Sequence, residues 1–499
     1  MTTTDWCAKW ALYSPDKIAF KEYETSRTLT YGQLNRAADA LSWHLTQDLG
    51  LKKGDRVAVL AEFCLEYAVL FSTAQKTGCI LVPLNYRLAA PEINFMLSNA
   101  QPLLVLSEEK FTTTLEKAPR YRRIKHRYSL QLVRHFLENT LPPQPFPPVR
   151  LGDKDPLFIL YTSGTTGEPK GAIYTHKMLF WNSINTSISL VVNSESRTLL
   201  FAPPFHTGGW NVLTTPFLHH GGYTCLLKKF DPAAVLELLQ SERCTILFGV
   251  PTMLKMLADE PTFAQASFPH LQYAVVGGEP MPLPLIEVWH HKNVPVRQGY
   301  GMTEVGPNLT SLHQDDAVRK RGSIGRPNFY VETQITDETG HPCAPNQPGE
   351  LWLRGPMVTP GYWRNKAATE KAFAPGQWFK TGDLVRRDED GYITVVDRIK
   401  NMFISGGENV YPAEIERVLL AHPGVSEAAV VGVPDEKWGE VGRAFIVCSA
   451  GISLTEADVL AYCYEKLAKY KVPKSIVFLE LLPKSDTGKI NRLLLKKQS

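Results

Sequence analysis

Apolar positions near the start of the chain recur first at helical and then at strand spacing. Leu34, Ala37, Ala38, Leu41 and Leu45 share one helical face, so 28–50 reads as an amphipathic helix. Thr30 with Gln33 three residues on is a capping-box pair that would start it. After the turn Lys53-Gly54-Asp55, the run Arg56–Leu60 reads as a strand, Glu66–Thr77 as a helix and Cys79–Pro83 as a strand. This alternation predicts βαβ units and a mostly parallel sheet, hence an α/β fold. The stretch 119–135 is basic, with Arg120, Arg122, Arg123, Lys125 and Arg127, and reads as a solvated helix face, an anion or acidic-lipid patch being the alternative. Pro142, Pro143, Pro145, Pro147 and Pro148 form a stiff connector inside a large domain, because the apolar strand Leu157–Leu160 follows. A second break falls near Asp397, after the strand Gly391–Val396. Beyond it the order is helix (Ala413–Leu420), strand (Ala428–Val433), strand (Arg443–Cys448), helix (Thr455–Leu467) and strand (Ser475–Leu479), a small α+β domain.

Composition narrows the class. The 499 residues are 44% hydrophobic and 21% charged, as in an ordinary globular protein. A net charge of +4 on this length gives no argument for a nucleic-acid partner. The eight cysteines (Cys7, Cys64, Cys79, Cys225, Cys244, Cys343, Cys448, Cys463) contain no CxxC pair or zinc spacing, and read as reduced thiols of a cytoplasmic protein. Met1 to Trp10 carries no signal-peptide pattern. No apolar run suits a membrane span, and Lys497-Gln498-Ser499 is not a peroxisomal address.

The sharpest local signal is Tyr161-Thr162-Ser163-Gly164-Thr165-Thr166-Gly167-Glu168-Pro169-Lys170-Gly171, directly after an apolar strand. Glycines let backbone N–H groups turn toward an anion, the hydroxyls add donors, and Lys170 adds charge; such a loop suits a polyphosphate. It is not a Walker A loop, and no GxGxxG is present.

The whole string resembles the signature loop of the adenylate-forming superfamily: acyl-CoA synthetases, peptide-synthetase adenylation domains and firefly-type luciferases. Further motifs follow in that superfamily's order over nearly the whole chain. The resemblance implies a large N-terminal domain of mixed sheets and helices over 1–399, a small mobile α+β domain over 400–499, and a hinge at Lys400. Thr162, Ser163, Gly164, Thr165, Thr166, Gly167 and Lys170 would hold ATP phosphates, with Gly278, Glu279 and Pro280 beside the nucleotide. In Gly299-Tyr300-Gly301-Met302-Thr303-Glu304, the resemblance gives Tyr300 to adenine stacking, Gly301 and Met302 to the same site, Thr303 to the α-phosphate or acyl carboxylate, and Glu304 to Mg²⁺. Asp383 of Thr381-Gly382-Asp383 would accept from the ribose hydroxyls, and Arg398 would reach ribose or phosphate. Gly406 and Gly407 would border the pantetheine tunnel, or else serve only as loop glycines. Lys489, in Pro483-Lys484-Ser485-Asp486-Thr487-Gly488-Lys489, matches the superfamily's catalytic lysine.

These parts imply that a carboxylate attacks the α-phosphate of ATP with Mg²⁺ present, and that a thiol then takes the acyl group. No protein nucleophile is needed; Lys170, Thr303 and Lys489 would neutralise charge. In Pro204-Phe205-His206-Thr207-Gly208-Gly209-Trp210, His206 stands where amino-acid-activating relatives place an aspartate, which favours a simple carboxylic acid. His206 would act as a gate at the catalytic centre. Trp210 would gate or simply pack. Val250, Gly277 and Gly301 complete the implied acyl pocket. The expectation is an acyl-CoA synthetase for a medium- or long-chain fatty acid, closest in motif style to bacterial fatty-acid or aryl acyl-CoA ligases. An aryl-CoA ligase of the benzoate or cinnamate type, or an enzyme loading a carrier protein, is the alternative; a binding protein without catalysis is disfavoured by the intact motifs. Lys466, Lys469, Lys471 and Lys474 read as a solvated face or as partners of CoA phosphates. A homodimer is compatible with this reading; stable membrane insertion is not expected.

Overall fold

The computed structural model describes residues 5–138, 144–147, 149–162, 169–278, 281–484 and 490–498. Ser163 to Gly167, Glu279, Pro280 and Lys489 therefore lie outside the described residues, as do Pro142, Pro143 and Pro148. The chain divides into two compact units, residues 1–333 with 353–379 and residues 334–352 with 380–499.

The first unit is α/β. Its six-stranded sheet runs His126–Ser129, Leu104–Ser107, Arg56–Leu60, Ile80–Pro83, Pro156–Thr162, Lys170–Thr175. All neighbours are parallel except the last pair, a hairpin. A four-stranded sheet orders Thr28–Thr30, Ile18–Glu22, Tyr223–Leu226 and Arg197–Leu200. A five-stranded sheet orders Ile246–Gly249, Tyr273–Val276, Val296–Met302, Gly306–Ser311 and Arg326–Pro327.

The expected amphipathic helix is present as Tyr31–Trp43 with its capping box: Gln33 N donates to Thr30 Oγ1 at 3.2 Å and Thr30 N to Gln33 Oε1 at 2.8 Å. It continues as a wider π-helical turn over His44–Asp48. The basic stretch is not one helix. It divides into a short 3₁₀ turn Tyr121–Arg123, the sheet strand His126–Ser129 and the helix Gln131–Glu138. Strand pairing with Leu104–Ser107 overrides helix propensity there.

All thirteen residues of the helix Leu65–Thr77 are buried. Such a helix must neutralise its charges internally. Glu66 Oε1 accepts from Arg27 Nη1 at 2.9 Å, and Lys76 Nζ lies 2.7 Å from Asp5 Oδ2 and 2.9 Å from Asp39 Oδ1. Burial alone would lower the Lys76 pKa, but Asp5 and Asp39 outweigh it and raise it. Nearby, the His219 ring stacks on Trp6 with centroids 4.0 Å apart, and its Nδ1 lies 2.8 Å from Ser183 Oγ.

The second unit is α+β. Its main sheet orders Glu408–Val410, Phe403–Ser405, Gly439–Cys448 and Val425–Asp435, with Ser475–Phe478 parallel to Gly439–Cys448. The helices Pro412–Leu420 and Glu456–Lys466 supply Ile415, Leu419, Val459 and Cys463 to a core with Phe403, Val430 and Ile446. Helix and strand order here match the pattern read from the sequence. Among the described residues no helix is long and apolar enough to cross a membrane.

Lys76→Met leaves Asp5 and Asp39 without their shared cation, and should cost about 3–5 kcal/mol of stability; urea unfolding followed by tryptophan fluorescence measures it. Burial also pushes His176 down to about 4 and His219 to about 3. The unfolded chain, with histidine at about 6.5, takes up these protons first, so stability is full above that pH and falls on acidification through about 4. The urea midpoint should drop over this window, and His219→Gln should flatten the slope.

Candidate active site

The phosphate-loop hairpin has Thr162 directly opposite Lys170 and Tyr161 opposite Gly171, so the two strand ends that bound the loop are adjacent. Tyr161 O–H donates to Asn99 Oδ1 at 2.7 Å, anchoring the first strand. Gly171 is required sterically: a Cβ there would sit 2.7 Å from Ile159 Cγ2. The segment around Tyr362 then docks on the second strand. Trp363 N donates to Gly171 O at 2.7 Å, Ile173 N donates to Gly361 O at 3.1 Å, and Tyr362 bridges Ala172.

That docking delivers Tyr362 to Glu304. Glu304 is 6% exposed, on the short turn Thr303–Val305 that ends the strand Val296–Met302. Tyr362 O–H donates to Glu304 Oε1 at 2.9 Å, and Thr359 N donates to the Glu304 carbonyl at 2.7 Å. Burial first, then the Glu304 carboxylate, push the Tyr362 phenol well above its ordinary value, so it remains a donor. Lys170 Nζ lies 5.5 Å from the centre of the Tyr362 ring. Lys170, Tyr362 and Glu304 thus form one cluster, with half-buried Thr303 adjacent in sequence. Tyr362 was not among the sequence candidates; the signal for it is the need of a buried carboxylate for a donor, which only the fold can identify.

Among the described residues no group of three or more His, Cys, Asp or Glu could hold a metal unaided. A single buried carboxylate does suit Mg²⁺, which usually keeps waters and takes one or two carboxylates beside substrate phosphates.

The turn carrying His206 is set by backbone contacts. Gly209 N donates to His206 O at 3.0 Å, and a Cβ on Gly209 would meet Pro203 O at 2.4 Å. Gly208–Val212 then forms a π-helical turn. Two amides bind its carbonyls: Asn182 Nδ2 donates to Asn211 O at 2.7 Å, and Asn308 Nδ2 to Val212 O at 3.0 Å. Neither asparagine stood out in the sequence. His206 remains half-buried, its ring 4.4 Å from that of Phe205. Trp210 is 1% exposed. Its Nε1 donates to Pro204 O at 2.7 Å, and its ring packs on Phe63, Phe71 and Phe158. Of the two roles open to Trp210 in the sequence, this geometry is that of core packing.

An apolar wall lies beside the His206 turn. A methyl on Gly208 would meet the Phe248 ring at 3.7 Å, one on Gly277 the same ring at 3.8 Å, and one on Gly278 would meet Val250 Cγ1 at 3.6 Å. The sequence candidates Gly277, Gly278 and Val250 are therefore brought together around Phe248. Gly301 admits no side chain, since its Cβ would lie 2.2 Å from Pro307 O. Tyr300 and Met302 flank it, half-buried.

In the second unit, Asp383 and Arg398 are register partners on the hairpin Trp378–Arg387/Ile393–Arg398. Arg398 Nε lies 3.1 Å from Asp383 Oδ1, the carboxylate being buried and the guanidinium half-exposed. Asp397 accepts from Ala413 N at 2.8 Å and Asn401 Nδ2 at 3.1 Å, holding the exposed turn Ile399–Asn401 that includes Lys400. Gly406 and Gly407 form the two-residue turn between Phe403–Ser405 and Glu408–Val410, with φ of +61° and +88°. Both positions favour glycine for that reason. Lys484 pairs across to Ile490, so the ends of the Lys489 segment are adjacent. Lys471 pairs with Glu414 at 2.7 Å and Lys466 with Glu465 at 3.3 Å.

Residues 7–363 match the family model described as AMP-binding enzyme, and residues 414–489 that of the AMP-binding enzyme C-terminal domain. The chain belongs to the AMP-binding enzyme family. It is 38% identical over 487 residues to a feruloyl-CoA synthase of Amycolatopsis sp., covering 97% of this chain and 96% of that protein. It is 37% identical over 493 residues to the long-chain-fatty-acid–CoA ligase FadD13 of Mycobacterium tuberculosis, covering 98% and 96%. The solved structure of o-succinylbenzoate coenzyme A synthetase (MenE) from Bacillus subtilis in complex with ATP and magnesium ion superposes with a TM-score of 0.86 at 30% identity, covering 99% of this chain and 98% of that one. Its enzymatic class is that of the acyl-CoA synthetases, ATP-dependent acid–CoA ligases acting on acyl or aryl acids.

Gly301→Ala would force the strand end from the Pro307 carbonyl and displace Thr303 and Glu304. Turnover should fall by about 100-fold or more, the scale of an ångström-sized misplacement. Pyrophosphate release and far-UV circular dichroism together check that activity is lost with the fold retained.

Proposed function

We propose that this synthetase activates a medium- or long-chain fatty acid as its acyl-adenylate and transfers the acyl group to CoA. The observation that carries the reading is the convergence of Lys170, Tyr362 and Glu304 at the hairpin mouth, in the unit that builds the glycine-lined apolar wall around Phe248. In the first step a carboxylate oxygen attacks the α-phosphorus, the bond to the β-phosphate breaks and pyrophosphate leaves. In the second a thiol sulfur attacks the acyl carbon, the acyl–phosphate bond breaks and AMP leaves. Lys170 and the loop Thr162 to Gly167 bind phosphate oxygens, Thr303 orients the reacting oxygens, and Lys489 stabilises the charge that builds on them. Tyr300 and Met302 with Gly278, Glu279 and Pro280 hold the adenine side, and Asp383 with Arg398 the ribose. Glu304, positioned by Tyr362, would hold Mg²⁺, which supplies neutralisation of phosphate charge.

His206 gates the acid, and Gly277, Val250 and Gly301 line its path. Lys400 is the hinge between domains 1–399 and 400–499, and Gly406 and Gly407 border the thiol path. The enzyme acts in the cytoplasm. A second reading, an aryl acid of the benzoate or cinnamate type, is favoured by Phe248, whose ring lies against Gly208 and Gly277 as a flat wall. The near-equal likeness to a feruloyl-CoA synthase and to a long-chain-fatty-acid–CoA ligase supports both.

Pyrophosphate release with ATP, Mg²⁺ and CoA across fatty acids of graded length and a set of aryl acids should give an optimum with stoichiometric acyl-CoA. Pyrophosphate without acyl-CoA would transfer the reading to a carrier-protein acceptor. Lys489→Ala should cut adenylation by about 10²-fold or more, the scale for an oxyanion donor, while thiolysis of preformed adenylate survives. Equal loss in both half-reactions would refute that role.

A further inference from the structure

Paired strand residues share a sheet face. Phe248 pairs with Val275 and Val275 with Arg297, so these three project from one face, and Gly277 and Gly299 follow on it by alternation. This is the face of the apolar wall. Its deeper part is a layer of Val212, Phe217, Ile246, Tyr273 and Val275, with Phe248 packed on it. Arg297 stands within that layer, four residues and about 13 Å along the strand from Gly301.

The surroundings of Arg297 do not account for its charge. The residue is 4% exposed. Nη2 donates to Ser311 Oγ at 3.1 Å and reaches Ser189 Oγ at 3.5 Å, and the guanidinium lies 5.0 Å from the centre of the Tyr273 ring. Nε is buried without a hydrogen-bond partner. Among the described residues no carboxylate forms an ion pair with it; Asp315, the acidic group that influences it, is exposed. A guanidinium does not shed its proton, and a buried charge with only neutral partners is strongly unfavourable. The cost is offset if an anion arrives with the substrate. The planar fork of Arg then makes charge-assisted bonds through Nε and an Nη together.

We propose that Arg297 determines specificity at the far end of the acyl pocket, where it takes the second carboxylate of a dicarboxylic acid activated at its other end. The assignment rests on the acyl-pocket reading above and refines its substrate class: the chain or ring along the wall ends in an anion rather than a methyl group. Arg297 lies just outside the Gly299–Glu304 motif, where the motifs themselves show no second cation.

The test is pyrophosphate release with ATP and Mg²⁺ from α,ω-dicarboxylic acids of graded length and from carboxy-substituted aryl acids, each against its own monomethyl ester. At the best length, wild-type kcat/KM should favour the diacid by about 30-fold or more, the loss expected when one partner of a buried charge pair is removed. Arg297→Met should collapse that preference whatever the absolute rates, mostly through KM. Arg297→Lys, which keeps the charge and loses the fork, should retain only part of it. Wild-type preference for the ester at every length, or a diacid preference that survives Arg297→Met, overturns the assignment. If Arg297→Met does not fold, the wild-type ratio and Arg297→Lys decide. Activation of methyl-terminated acids alone sinks this inference and leaves the ligase reading standing; pyrophosphate from no acid overturns both.

Discussion

A carboxylate shielded from water needs a donor, and the hydrogen bond from Tyr362 to Glu304 meets that need across three segments distant in sequence. The phosphate hairpin presents Ala172 and Gly171 as a docking edge, the segment around Tyr362 pairs with it, and the phenol then reaches the strand end carrying Thr303 and Glu304. Shifting any one of the three breaks the bond from the Tyr362 phenol to the buried Glu304 carboxylate. The same bond therefore ties Lys170 at the end of the hairpin, the Tyr362 segment and the Thr303–Glu304 turn into one geometry.

Close backbone approach is the second device. Gly171, Gly209 and Gly301 each sit where a Cβ would overlap a neighbouring atom. Their absence of side chain brings the hairpin, the His206 turn and the Gly301 strand end to their observed separations. Around Phe248, by contrast, added methyls on Gly208 and Gly277 would only touch the ring. Those glycines leave space beside the ring rather than relieve a clash, and the buried Arg297 lies further along the same face.

Buried polar groups elsewhere follow the same logic with internal partners. Lys76 between Asp5 and Asp39, and Asn182 with Asn308 on the carbonyls of the π-helical turn, make irregular or charged segments tolerable inside the large unit. Arg297 differs because the side chains beside its guanidinium, Ser189, Ser311 and Tyr273, are neutral.

Local chemistry made much of this chain legible in its sequence. The Thr30–Gln33 cap, the strand Arg56–Leu60, the element order of the second unit and the glycine-rich phosphate loop each depend on residues close together along the chain. Periodicity and capping report such features directly. Resemblance of the motifs extended that legibility to the enzyme class. What only tertiary structure decided involves partners far apart in sequence: strand pairing turned part of the basic stretch from helix into sheet edge, and aromatic packing drew Trp210 into the core. Docking of its segment on the hairpin placed Tyr362 on Glu304, and sheet register set Arg297 on the face of Phe248. A single side chain carries no record of which distant group will share its burial, so those assignments had to wait for the fold.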